Sequence, residues 1–251
     1  MHAAGQTATG LVRTDNEDVI FYTTKPIGPL PNLFIVADGM GGHNAGEVAS
    51  AKSLEFCCAF LRNTPPPDYA KPEDILDILI KATLAANKAV YKLAISNPAY
   101  DGMGTTFSAC TVIGSILAVA HIGDSRIYTT APGRITQITT DHTFVEEMVQ
   151  AGNLTPSQAK THPRRNVITR VLGCDPEVKA DGNLHGLDGI HSILLCSDGL
   201  TDMLSDEDIM NLINQNAPAG IRTESLINAA NNNGGIDNIS AIIIDVKGET
   251  I

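Results

Sequence analysis

Residues 33–39 read LFIVADG, five apolar residues followed directly by a carboxylate and a glycine. A short apolar run that ends at a turn residue is typical of a buried strand. A carboxylate at the end of such a strand is costly unless positive charge lies next to it, because an unpaired buried charge is strongly penalised. The arrangement recurs in this chain: apolar runs lead into Asp124 and Asp198, and another follows Asp237.

Together with Asp38, these carboxylates indicate bound cations. Three of the four have no Lys or Arg beside them in the sequence. A single aspartate before a glycine is most often an ordinary turn residue, so it is the recurrence that points to a shared role. Oxygen ligands suit hard divalent cations, and we therefore expect Mg2+ or Mn2+.

The composition limits the partners that the protein can have. The chain has 251 residues, 43% hydrophobic and 18% charged, which fits one large domain or two small ones. Its formal net charge of −11 argues against nucleic acid as the main partner, since a phosphate backbone needs a basic face. No secretory signal and no apolar run long enough to cross a bilayer is visible, so we expect no membrane partner. The five cysteines, three of them in apolar runs, favour free thiols in a reducing, cytoplasmic setting.

Periodicity predicts strands interleaved with helices. Strands are expected around a polar turn within 6–24, at 33–38, as a hairpin of 106–113 and 116–122, over 126–139, and at 239–244. Helices are expected at about 46–61, from Pro72 to Leu93, at about 206–215 after the cap residue Ser205, and at about 222–233. Such an order suggests two packed sheets flanked by helices.

Several short motifs follow one another in a fixed order along the chain. They are Arg13…Asn16-Glu17-Asp18, Asp38-Gly39-Met40-Gly41-Gly42-His43, Met103-Gly104-Thr105-Thr106, Gly123-Asp124-Ser125-Arg126, Asp141-His142, Ser197-Asp198-Gly199 and Gly235-Ile236-Asp237-Asn238. In this order they resemble the motifs of the metal-dependent protein serine/threonine phosphatases of type 2C, the PPM family. The compact length and the Met40…His43 spelling resemble its bacterial branch. The resemblance runs from about Gly5 to Val246.

This resemblance implies an α+β fold, a four-layer α-β-β-α sandwich of two mostly antiparallel sheets flanked by pairs of helices. It also implies a single phosphatase catalytic domain over 1–251, with a flap segment at about 143–171 near the active site. Three flap arginines, Arg164, Arg165 and Arg170, are candidates for guiding acidic phosphopeptides, and a solvated basic face is the alternative.

The resemblance further implies a cleft that binds two Mn2+ or Mg2+ ions, and a third, weaker ion. Asp38 would bridge the two core ions. The other residues implied for them are the backbone carbonyl of Gly39, Glu17 and Asp18 through water, Asp198, and Asp237. Asp124 and Asp198 match the ligands of the third ion. Paired ions suit this chemistry because they lower the pKa of water and neutralise the charge of a phosphate monoester.

Arg13 matches the residue that grips the substrate phosphate, and its planar guanidinium fits phosphate oxygens. Taken alone, it would be an ordinary surface arginine beside acidic neighbours. Many eukaryotic relatives carry a histidine where this chain has Met40, so the general acid stays open between His43 and a metal-bound water. His43 is therefore a candidate for catalysis and for substrate contact. Thr105 and Thr106 are expected to support the site from behind.

The resemblance thus implies a protein serine/threonine phosphatase that opposes a bacterial serine/threonine kinase in signalling. Its partners would be phosphorylated proteins, with no nucleic acid or membrane, and we expect a monomer. Two alternatives stay open: a catalytically silent module that binds phosphoproteins, and a small-molecule phosphomonoesterase. The intact acidic set argues against the silent module.

Overall fold

The computed structural model describes residues 1–41, 45–67 and 71–246, and its strands form two antiparallel sheets. In chain order the strands are β1 (His2–Ala8), β2 (Asp18–Thr23), β3 (Leu33–Met40), β4 (Gly104–Thr105), β5 (Phe107–Ile113), β6 (Ile116–Ile122), β7 (Arg126–Ala131), β8 (Arg134–Gln137), β9 (Asp181–Gly186), β10 (Ser192–Cys196) and β11 (Ile239–Asp245). Sheet I has the order β1-β11-β10-β7-β8. Sheet II has the order β2-β3-β5-β6-β9, with β4 paired to β3.

Helices join the strands in the described part of the chain. They are α1 (Ala45–Asn63), α2 (Pro72–Ser96), α3 (Phe144–Gln150), α4 (Pro156–Lys160), α5 (Asp198–Thr201), α6 (Asp206–Ile213) and α7 (Ala219–Asn232), with a short 3-10 turn at Pro98–Tyr100. The helices α1 and α2 pack on sheet II, and α6 and α7 pack on sheet I. Within the described ranges, no helix combines the length and the apolar character needed to span a membrane.

Side-chain alternation along the strands builds three apolar layers. In β3, Phe34 lies between the two sheets, whereas Ile35 packs among the side chains of α1 and α2. In β11, Ile242 lies between the sheets and Ile243 packs under α6 and α7. Successive side chains of a strand point to opposite faces, so a strand covered on both sides must be apolar throughout. The α-β-β-α layering confirms the predicted fold class.

Local signals in the sequence match local structure at several points. The hairpin of β5 and β6 turns at Gly114, whose φ of 59° lies in the left-handed region that favours glycine. Ser205 caps α6, since its hydroxyl accepts a hydrogen bond from the Asp208 N–H at 3.2 Å and the Asp208 carboxylate bonds back to the Ser205 N–H. Both features were predicted from residue type and spacing.

Two strand predictions were wrong or incomplete. The first strand begins at His2 rather than Gln6, and β9 was not predicted at all. Both are edge strands of their sheets, and their sequences, HAAGQTA and DGNLHG, hold few β-branched or aromatic residues. Their pairing with β11 and β6 is a long-range contact, which a local pattern does not reveal.

Candidate metal centre

Asp18 and Asp38 lie directly opposite each other on β2 and β3 of sheet II. Like charges at facing positions destabilise a sheet, so this pairing needs a compensating positive charge. Asp18 is buried, and one of its oxygens, Oδ2, accepts a hydrogen bond of 2.7 Å from the Ser197 hydroxyl. Its other oxygen, Oδ1, has no hydrogen-bond partner among the described residues. Burial raises the pKa of Asp18 to about 6.

The backbone of Asp38 is fixed from behind by two threonines. The Asp38 N–H donates to Thr106 Oγ1 at 2.9 Å, and the Asp38 carbonyl accepts from Thr105 Oγ1 at 2.9 Å. The Thr106 N–H donates to the same carbonyl at 2.8 Å. Burial, and after it the charges of Asp18 and Asp198, raise the pKa of Asp38 well above its ordinary value. These threonines therefore fix the backbone that carries the Asp38 carboxylate.

Asp198 brings a carboxylate from sheet I to the same place. It directly follows Ser197, whose hydroxyl also accepts a hydrogen bond from the Ser240 N–H at 3.0 Å. The Oδ1 atom of Asp198 is buried, and no group within 1–41, 45–67 and 71–246 forms a hydrogen bond with it. Burial, followed by the charges of Asp124 and Asp237, raises the pKa of Asp198 well above its ordinary value. Asp198 is therefore close enough to Asp124 and Asp237 for their charges to raise its pKa.

Asp124 follows a turn that requires glycine. Gly123 has a φ of 104°, and a Cβ at that position would lie 2.6 Å from Thr106 Cβ. Asp124 is buried, and its Oδ1 atom has no hydrogen-bond partner in the described ranges. Burial, and then the charge of Asp141, raises the pKa of Asp124 to about 7. The structure therefore places a buried acid on the sheet II side of the cleft, near Asp198.

Asp237 lies at the rim of the cleft. Among Asp18, Asp38, Asp124, Asp198 and Asp237, it alone forms a salt bridge in the described part of the chain. Its Oδ2 atom accepts a hydrogen bond of 2.8 Å from Nη2 of Arg13, whose side chain is 50% exposed. Its Oδ1 atom accepts from the Asn238 N–H at 2.8 Å. Arg13, predicted to grip phosphate, thus lies at the rim, where it is paired with Asp237 and half exposed.

Glu17 and Gly39 join the centre to the start of α1. The Gly39 N–H donates to the Glu17 carbonyl at 3.1 Å. A Cβ on Gly39 would lie 2.2 Å from the Gly46 carbonyl oxygen, and one on Gly46 would lie 2.5 Å from Glu17 Oε1. Burial raises the pKa of Glu17. Glycine is required at both positions because any side chain would collide here.

The donor set fits hard divalent cations. Three buried carboxylate oxygens, on Asp18, Asp124 and Asp198, have no hydrogen-bond partner in the part of the chain that the structure describes, an arrangement that a neighbouring cation would stabilise. Within 1–41, 45–67 and 71–246, no three acidic, histidine or cysteine groups close around one point to form an all-protein cage. Mg2+ seldom uses such a cage, since it usually keeps several waters and takes only one or two carboxylates. Dispersed carboxylates of raised pKa suit that kind of site.

Known proteins are similar to this chain in sequence and in fold. A profile of the family described as "Protein phosphatase 2C" matches residues 12–225. The chain belongs to the protein phosphatase 2C family.

Relatives within the phosphatase 2C family cover the chain almost completely. Protein phosphatase PhpP of Streptococcus pneumoniae is 34% identical over 97% of this chain and 96% of its own length. Serine/threonine protein phosphatase PstP of Mycobacterium tuberculosis is 38% identical over 97% of this chain and 44% of its own length. The crystal structure of the phosphatase Stp1 from Staphylococcus aureus has a TM-score of 0.89 at 35% identity, covering 98% of this chain and 95% of that one. A crystal structure of the PstP catalytic domain in complex with 2 manganese ions has a TM-score of 0.82 at 34% identity, covering 98% of each chain.

Sequence reasoning did not assign a role to Asn238, which fixes the loop that carries Arg13. Its buried side chain donates to the carbonyls of Thr9 and Asp15, each at 2.9 Å, and accepts from the Glu17 N–H at 2.8 Å. These bonds hold the β1–β2 loop, which carries Arg13, against the start of β11. Direct adjacency to Asp237 was the available signal, but partners more than 220 residues away are not visible in a sequence.

The three arginines within 143–171 lie close to other groups of the protein. The Arg170 guanidinium donates to Asp181 Oδ1 at 2.9 Å, and Arg164 stacks over the Phe144 ring at 3.7 Å from its centroid. Arg165 lies near Asp202 and lowers the pKa of that carboxyl against the larger effect of burial. Of the remaining predicted residues, Met40 is half-buried at the end of β3, whereas His43 lies outside the described residues.

Proposed function

We propose that this chain hydrolyses phosphoserine and phosphothreonine in proteins and requires Mn2+ or Mg2+. The observation that carries the proposal is the set of three buried carboxylate oxygens that have no hydrogen-bond partner among the described residues, beside the half-exposed guanidinium of Arg13. Membership of the phosphatase 2C family supports it, as do relatives named serine/threonine phosphatases and one relative crystallised with two manganese ions. These findings favour a phosphatase over a catalytically silent module.

The acidic residues form two proposed sets of metal ligands, one for the two core ions and one for a third ion. Those that would hold the two core ions are Asp38, Asp198 and Asp237, supported by the Gly39 carbonyl, Glu17 and Asp18; Asp124 and Asp198 would hold a third. When bound, the ions would lower the pKa of water and neutralise charge on the phosphoryl oxygens. The residues of the chain contribute fixed positions: Ser197 orients Asp18, and Thr105 and Thr106 fix the backbone of Asp38.

Arg13 would bind the substrate phosphate. A guanidinium has five N–H donors, and the contact with Asp237 uses one nitrogen, Nη2. The other donors can bind phosphate oxygens while Asp237 keeps the side chain directed at the rim. His43 remains our candidate for contact with the substrate and for proton delivery to the leaving oxygen.

We also propose that residues 1–251 act as one catalytic domain, in which 143–171 is a flap. Backbone hydrogen bonds from Phe144 N–H to the Val167 carbonyl and from Thr169 N–H to the His142 carbonyl, each 2.8 Å, support a closed segment at the edge of the site. The protein would act as a monomer on phosphoproteins made by a serine/threonine kinase. Its five cysteines are free thiols, which supports the cytoplasm as its location.

A peptide assay tests the proposed function. A phosphothreonine peptide is incubated with the protein and Mn2+, then with excess EDTA, and phosphate release is measured. We expect release with Mn2+ and none with EDTA, and we expect Asp38→Asn to abolish it. Asp188→Asn is the matched control, since this exposed carboxylate lies beyond the end of β9 that is remote from Asp181 and the centre.

The same assay separates the alternatives. Hydrolysis of p-nitrophenyl phosphate without hydrolysis of any phosphopeptide would identify a small-molecule phosphomonoesterase. Binding of the peptide without turnover of either substrate would identify a silent module. Full activity in Asp38→Asn, or in EDTA, would refute a centre built on these carboxylates.

A further inference from the structure

Three large apolar side chains lie exposed beside the Arg13–Asp237 ion pair. Leu11 and Val12 directly precede Arg13 and are 69% and 65% exposed, and Ile236 directly precedes Asp237 and is 48% exposed. Single exposed apolar residues are normal on a protein surface, whereas a group of them marks a binding surface. We call Leu11, Val12 and Ile236 the apolar rim.

The apolar rim joins two loops that are fixed to each other. The Leu11 N–H donates to the Gly235 carbonyl at 2.7 Å, and a Cβ on Gly235 would lie 3.1 Å from Leu11 Cγ. Gly10 packs as closely, since a Cβ there would lie 2.2 Å from the Asp237 carbonyl oxygen. The rim therefore keeps a constant position relative to the residues that we assign to phosphate and metal binding.

We propose that the apolar rim binds an apolar side chain next to the phosphorylated residue of the substrate, so that the enzyme prefers phosphoproteins with apolar flanks. The inference rests on the proposed function. A phosphate bound by Arg13 brings its own chain to the rim, because an extended peptide advances only about 3.3 Å per residue. Neighbours one or two positions from the phosphoresidue then lie within reach of Leu11 and Ile236.

The size of the rim favours a peptide segment over a folded partner. A specific, stable protein–protein interface buries roughly 1,200–2,000 Å² in total, more than three side chains around an ion pair can offer. The rim residues Val12 and Ile236 also directly precede Arg13 and Asp237 in the chain, so a substrate bound at these two residues must lie beside the rim. A short flanking segment of the substrate is therefore the occupant that fits.

Charge favours apolar over acidic flanks. The protein carries a formal net charge of −11, which repels an acidic peptide as it approaches. Of the three flap arginines that could attract such a peptide, Arg170 is paired with Asp181 and Arg164 stacks on Phe144. An apolar flank avoids this repulsion and gains contact with the rim.

The test uses phosphothreonine peptides that differ only in the residues flanking the phosphothreonine: leucine, serine or glutamate. With Mn2+ and the whole protein, we expect kcat/KM to be about tenfold higher for the leucine than for the serine peptide, the value for about 1.4 kcal/mol of apolar contact. Glutamate flanks should lower it below serine. Leu11→Ser and Ile236→Ser should each bring the leucine-to-serine ratio towards one. Ile95→Ser is the matched control, as Ile95 is 67% exposed on α2, away from the cleft.

Each outcome decides the inference. Equal kcat/KM for the three wild-type peptides would overturn the preference while leaving the proposed function standing. An unchanged ratio in both rim variants, or an equal loss in Ile95→Ser, would overturn the assignment to the rim. No hydrolysis of any peptide by the wild-type protein would refute the proposed function, and the inference with it. Because the wild-type series needs no variant, a variant that fails to fold does not remove the test.

Discussion

Arg13 and Asp237 form an ion pair across 2.8 Å although 224 residues separate them in the chain. The pair joins the β1–β2 loop to the start of β11 and places the residue that we propose to bind phosphate beside a proposed metal ligand. Arg13 would thus bind the substrate, while Asp237 would bind a metal ion.

Removal of the Arg13 guanidinium should weaken substrate binding more than it slows the chemical step. For Arg13→Ala we expect the KM for a phosphothreonine peptide to rise about tenfold or more, as two charge-assisted hydrogen bonds are lost. Arg13→Lys should recover only part of this, because a point charge replaces the planar fork. Steady-state kinetics measure the effect, and an unchanged KM in Arg13→Ala would show that Arg13 does not bind phosphate.

Asp198→Asn should separate activity from stability. The variant should lose turnover and the rise in Tm that Mn2+ gives the wild-type protein, since a ligand that binds only the folded state stabilises it. In EDTA its Tm should exceed that of the wild type, because the repulsion from Asp124 and Asp237 is removed. Thermal unfolding with and without Mn2+ measures both. A lower Tm in EDTA would contradict the assigned repulsion.

In EDTA the stability of the protein should fall as the pH rises from about 4 to 7. The folded-state pKa is about 6 for Asp18 and about 7 for Asp124, above the ordinary value for aspartate. In this window the folded protein therefore holds more protons than the unfolded chain, so the free energy of unfolding decreases with pH. A shift of two units corresponds to about 3 kcal/mol per carboxylate. Urea unfolding at pH 5 and 7 measures it, and a rise in stability over that interval would contradict these pKa directions.

Asn238→Ala should destabilise the loop that carries Arg13. The substitution leaves the Thr9 and Asp15 carbonyls and the Glu17 N–H without their partner, and each buried unpaired group costs about 1–3 kcal/mol. We expect a total loss of about 2–4 kcal/mol, below the simple sum because water can reach the loop. Asn63→Ala is the control, since its exposed amide makes one bond, to the Ala59 carbonyl. Equal losses in the two variants would refute the role of Asn238.

Local sequence determined the interior of this fold and the positions of its acids. The run before Asp38 is apolar at every position because β3 is covered by helices on one face and by sheet I on the other. A buried strand that ends in a carboxylate is a local conflict between burial and charge, and such a conflict can be read without a structure. The expectation of bound cations followed from that signal and its recurrence, whereas the family and the four-layer fold class followed from the resemblance of the ordered motifs.

Long-range polar contacts were beyond the reach of the sequence. Nothing near Arg13 in the chain indicates Asp237 as its partner, since acidic neighbours lie closer in the sequence. The β9 strand, with its glycines and polar side chains, becomes a strand only because β6 offers an edge to pair with. The role of Asn238 depends on partners at the opposite end of the chain for the same reason.

The proposed ligands come from both halves of the sandwich: Asp18 and Asp38 belong to sheet II, whereas Asp198 and Asp237 adjoin strands of sheet I. The apolar side chains between the sheets therefore set the spacing of the acids as well as the stability of the protein. A change of volume at Phe34 or Ile242, buried and chemically inert, would displace one half of the ligand set relative to the other. Catalysis in this architecture constrains residues that never touch the substrate.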